Sequence, residues 1–76
     1  MEANFAPISV RGLKEIIPTL PKVDIVKKDG KFFCELNCSE WGANSDVDFI
    51  GVGINKSEAI SHLFQIIKVN KPEVIE

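Results

Sequence analysis

Two cysteines and a single histidine are the residues of this chain whose types first ask for chemistry. Cys34 and Cys38 fall four apart in one alternating stretch, KFFCELNC. At about 3.3 Å per residue along a strand, their Cα atoms stand roughly 13 Å apart, beyond the ~7 Å that a disulfide spans. Both are expected as free thiols, which fits a reducing, intracellular setting, cytoplasm or nucleus. A metal site would need more ligands than these thiols and His62, so neither metal nor cofactor is expected. Covalent catalysis needs a base beside a nucleophile, and no such pair is apparent, so the chain is expected not to be an enzyme. Small apolar core residues and a half-exposed histidine on a helix flank, with no obvious partner, are the plainer roles.

The remaining chemistry is electrostatic. Lysines gather at Lys22, Lys27, Lys28 and Lys31, and again at Lys68 and Lys71. Nine Lys and Arg are nevertheless outweighed by eleven Asp and Glu, for a formal charge of −2. Nucleic-acid affinity rests largely on basic side chains releasing counterions from phosphate. The balance opposes strong non-specific binding and leaves room for a local basic stripe.

Elements must position these residues. Seventy-six residues, 45% apolar with five Phe, supply one thin core. A domain this small buries only about 60% of its unfolded surface, so partner contacts can matter to its stability. No leader opens the chain and no apolar run reaches membrane-spanning length, so no membrane partner is expected. Ile8, Val10, Leu13, Ile16 and Ile17 recur at near-helical spacing, with Pro7 suited to a first turn and Pro18 stopping the helix. KVDIVKK and KFFCELNC alternate on either side of Asp29-Gly30, a tight-turn pair. SEWGANSD reads as a loop, and VDFIGVGI as a third strand whose Gly51 and Gly53 imply close backbone approach or a bend. Asn55 caps a last helix, with Glu58 completing a capping box. Its Ala59, Ile60, Leu63, Phe64, Ile66 and Ile67 span an arc of about 160°, wider than the roughly 100° a core-facing stripe needs. The expected class is α+β in the order α-β-β-β-α, a three-stranded antiparallel sheet with both helices on one face. A flexible segment is expected at 1–6, the domain at 7–70 and a flexible tail at 71–76.

That order, with these residues, resembles the double-stranded RNA-binding domain over about 7–69. FFCEL…FIGVGINKSEA is similar to copies attached to RNA helicases of the maleless type. The family's Leu-x-Glu of the first helix is matched by Leu13-Lys14-Glu15, and the aromatic opening its second strand by Phe32. Its Gly-x-Gly-x-Ser-Lys-Lys-x-Ala run is matched in part by residues 51–59. The family reads A-form RNA by shape, touching two minor grooves and the phosphates between them. The resemblance places Glu15, helped by Lys14 and Arg11, at ribose hydroxyls. It places Lys27, Lys28 and Lys31 near phosphate at a turn that lacks the family's histidine and is too short to reach as far, where a solvated turn is the plainer reading. At the last helix, of three expected phosphate-facing lysines at 56, 57 and 60, only Lys56 remains, next to the cap Asn55. Two lost phosphate contacts would lower the salt slope of binding by about 1.8. Glu58 adds a competing charge in that first turn, where it is equally an ordinary capping residue.

Leu63 and Phe64 stand where the family often has two alanines against the sheet. Two readings are open: a repacked core, or an apolar patch formed with Ile60. If Phe32, Cys34, Leu36 and Cys38 point inward, Phe33 points outward, joined by Phe49 or Ile50 and by Trp41 nearby. Strand 3 could also be an open sheet edge. Divergent members of the family use strand 3 and helix 2 for homodimers or protein docking. The expectation is a protein-interaction module in an RNA-processing or RNA-silencing complex, its interface drawn from Phe33, Trp41, Phe49, Ile60, Leu63 and Phe64. The alternative is a weak direct binder of double-stranded RNA working beside other RNA-binding domains, through Lys14, Glu15, Lys28, Lys31, Asn55 and Lys56.

Overall fold

The computed structural model describes residues 9–37 and 48–75. Pro7, Cys38 and Trp41 lie outside the described residues. The chain runs α1 (Val10–Ile16), β1 (Val23–Lys28), β2 (Lys31–Asn37), β3 (Asp48–Gly53) and α2 (Lys56–Asn70). This is the α+β, helix–β–β–β–helix arrangement that the hydrophobic periods imply.

α1 begins after Ser9, its N-cap. The Ser9 hydroxyl accepts from the Gly12 N–H at 3.1 Å, and its carbonyl accepts from the Leu13 N–H at 2.9 Å. An extended serine that satisfies a first-turn donor is a favoured helix start. Seven residues are too few for a self-sustaining helix. Leu13 and Ile17, one turn apart and fully buried, anchor it from the core. At its end the Ile17 N–H still reaches the Leu13 carbonyl at 2.8 Å, and Pro18 stops the next turn.

The sheet is antiparallel in the order β1-β2-β3, so β1 and β3 are both edges. Asp29 and Gly30 both take positive φ, 53° and 77°. That is the backbone of a two-residue type I′ turn, whose twist matches that of the strands it joins. Pairing then sets every side chain's face. The inner rows are Val23–Leu36–Phe49, Ile25–Cys34–Gly51 and Lys27–Phe32–Gly53. Phe49 therefore points inward and packs against the core, which corrects its candidacy as an exposed contact.

α2 lies against β3 where the sheet carries no side chains. A Cβ on Gly51 would meet the Ala59 carbonyl oxygen and come within 2.5 Å of the Leu63 nitrogen; one on Gly53 would stand 2.5 Å from the Ala59 nitrogen. Helix backbone thus rests directly on strand backbone. At that separation Ala59, Ile60, Leu63 and Ile67 join Leu13, Ile17, Leu20, Cys34 and Leu36 in one core. Ile60 and Leu63 are buried, so of the two open readings the repacked core holds for them, and they form no exposed patch. Beyond α2, in the expected tail, Pro72–Val74 makes a 3-10 turn, and Val74 and Ile75 pack against the core.

Candidate interaction surfaces

Three regions of the fold gather side chains that could meet a partner: the α2–β3 junction, the basic turns and the outer face of the sheet. At the junction, the Asn55 side-chain oxygen accepts from the Glu58 N–H at 2.8 Å. The Glu58 carboxylate accepts from the Ile54 N–H at 2.9 Å, one residue before the position a capping box would use. One turn further along α2, His62 Nδ1 accepts from the Val52 N–H at 2.9 Å. Its partner is the feature that sequence reasoning missed, because it lies ten residues away. The available signal was the four-residue spacing of Glu58 and His62 on a helix that two glycines draw against β3.

That pair has a consequence for docking. The N–H groups of Val52, a β3 residue opposite Phe33, and of Ile54, just past the strand, go to α2 side chains and not to β2, so they lie on the open-edge side. A strand added there would need the donors that Glu58 and His62 already hold. The Gly53 end of the β3 edge is closed by side chains of α2.

The residues assigned to RNA by resemblance occupy three places. Lys14 and Glu15 are exposed on α1, Lys28 and Lys31 flank the hairpin turn as direct cross-strand neighbours, and Lys56 opens α2. Asn55 is exposed but commits its side-chain oxygen to the cap. The Glu58 carboxylate sits within that same first turn, where an anion would otherwise gain from the helix dipole. Lys27 is turned away from this group, its Nζ 5.6 Å from the centroid of the Phe32 ring.

The apolar candidates divide by face. Phe64 is half-buried on the flank of α2, with Lys68 Nζ 5.5 Å from its ring centroid. Phe33 is on the outer face, as expected, and has company there. Val26, Phe33 and Val52 form one row across all three strands. Val26 is 51% exposed and Ile50, in the next row, 40% exposed. Ile54, just past the strand, is also exposed. The rows on either side are charged: Lys28 opposite Lys31 toward the turn, and Asp24 opposite Glu35 toward the other end.

Cys34 is buried and free, and loss of hydration pushes its thiol from 9.0 up to about 11. It is a core side chain at neutral pH. The raised value stabilises the fold fully below about pH 9, where both states hold the proton. Above that the unfolded chain ionises first, so this stability is lost as pH climbs toward 11. Urea melts at about pH 8.5 and pH 11 should show roughly 2–3 kcal/mol more alkaline destabilisation in the native chain than in Cys34→Ala. Equal losses in the two proteins would remove Cys34 as the cause.

Among the described residues, no group of three or more His, Cys, Asp or Glu side chains is placed to hold a metal ion, and no helix is long and apolar enough to cross a membrane. Compared with known proteins, the chain matches no family model, no curated protein and no solved structure.

Proposed function

We propose that this chain is a divergent module of the double-stranded RNA-binding type that works mainly by docking to protein within an RNA-processing or RNA-silencing assembly. One observation carries the reading: the apolar row Val26–Phe33–Val52, with Ile50 beside it, lies on the sheet face that neither helix covers. Aromatic and aliphatic side chains grouped on a solvent face are the usual material of protein contacts. β3 takes part through the side chains of its outer face. α2 takes part at most through Phe64, because Ile60 and Leu63 belong to the core.

The second reading, a weak direct binder of double-stranded RNA, draws on the juxtaposed Lys28 and Lys31 and on Lys56 at the start of α2. The chain's net charge of −2 and the Glu58 carboxylate in that first turn weigh against it.

Titrating a short RNA duplex at low and at physiological salt tests the choice. Docking to protein as the main role predicts binding at about 50 mM salt at best, lost by about 200 mM, since phosphate contacts are steeply salt-dependent. Any residual binding should fall with Lys56→Glu. Firm duplex binding at physiological salt would sink the proposal in favour of the RNA reading.

A further inference from the structure

The outer face of the sheet carries a charge pattern that, among the described residues, a single weak ion pair does little to relieve. Lys28 stands directly opposite Lys31, and four residues further along the strands Asp24 stands directly opposite Glu35. Like charges directly opposed across strands are destabilising, and here two such pairs of opposite sign share one face. Lys22 lies 3.9 Å from Asp24 as an exposed, weak ion pair, and leaves Glu35 and Asp48 in excess at that end. Between the two charged rows runs Val26–Phe33–Val52.

A second copy laid face to face fits this pattern in one orientation. A two-fold axis running along the apolar row, across the strands, superposes that row on its own copy and reverses the strand direction. The same rotation carries each Lys28–Lys31 pair over the other copy's Asp24–Glu35 pair, about 13 Å from row to row at about 3.3 Å per residue. A two-fold axis along the strands would instead set lysine over lysine. The face is complementary to itself in one arrangement and repulsive in the other, as an isologous interface requires. We propose that the open sheet face is the contact between two copies of this chain, packed with antiparallel strands about the Val26–Phe33–Val52 row. This deepens the protein-docking reading and rests on it.

The size of the face sets the expected strength. Six residues of strand by three strands offer roughly 300 Å² per copy, well under the ~800 Å² of a standard interface. The dimer should be dissociable, populated from about 10 µM to about 1 mM and weakened by salt.

Sedimentation equilibrium of the full chain over that range tests it, using paired charge reversals. One variant carries Lys28→Glu with Lys31→Glu, the other Asp24→Lys with Glu35→Lys. Each change leaves the altered pair a like-charge pair, and Asp24→Lys gives up only the weak, exposed Lys22–Asp24 contact, so the monomer should stay folded, which circular dichroism melts verify. The native chain should rise from 8.4 kDa toward twice that mass. Each variant alone should associate about tenfold or more weakly, and an equal mixture of the two should recover the dimer. Native chain that stays monomeric, variants that dimerise as the native chain does, or a mixture that fails to recover the dimer would each overturn this arrangement while leaving docking to another protein in place. Failure of the docking reading itself shows elsewhere, as firm duplex binding at physiological salt.

Discussion

Gly51→Ala should cost the fold about 3 kcal/mol and lower its melting midpoint by roughly 15–20 °C. The new Cβ would be placed 2.5 Å from the Leu63 nitrogen and 2.9 Å from its Cα, and closer still to the Ala59 carbonyl oxygen. All three are backbone atoms of α2, so no side chain can turn aside to make room. The helix must lift off β3, and lifting it opens the core at Ala59, Ile60 and Leu63 together. A chain of this length has about 4–11 kcal/mol of stability in all, so the loss takes a large share. Gly30 supplies the contrast. A Cβ there meets nothing within 4 Å, and only its φ of +77° makes alanine strained, a cost of about 1–2 kcal/mol. Urea melts of the two variants beside the native chain separate a packing constraint from a backbone one. A loss at Gly51 no larger than that at Gly30 would mean that α2 can shift freely over the strand.

The same contact explains which parts of the fold could be read in advance. Asp29-Gly30, Pro18 and the Asn55 cap act over a few residues, and each marks its boundary in the sequence as in the structure. The start of α1 was less legible: Pro7 suits a first turn, whereas the cap is the Ser9 hydroxyl that binds Gly12. β3 was harder, because its alternation runs opposite to the usual sense. Its inward residues past Phe49 are the two glycines, while Ile50 and Val52 face outward. The side chains that would normally mark the inner face are missing because helix backbone fills their space. That left the face of Phe49 ambiguous and hid the outer apolar row, which only pairing across three strands assembles. The bond from Val52 to His62 was invisible for a related reason: it depends on how close α2 lies, which no local pattern of α2 itself records.

Leu63→Ala should be the most damaging of the conservative changes on α2, at about 4 kcal/mol, against about 1–2 kcal/mol for Phe64→Ala next to it. Leu63 is fully buried, and its own backbone already rests against Gly51. Removing its side chain leaves a cavity that the helix cannot close by moving inward, which places the loss toward the upper end for leucine. Phe64 is half-buried on the helix flank, so its truncation exposes little that was dry. Both variants should keep the native slope against urea, since the surface exposed on unfolding is unchanged. Near-equal losses would mean that α2 is turned about its axis relative to this packing. The difference also decides how any self-association must be mapped. Leu63→Arg would bury an unpaired charge and unfold the chain, so a dimer lost with it reports the core and not a contact. Substitutions on the outer face, at Phe33 or in the two charged rows, leave that core untouched, and a dimer lost there reports the interface.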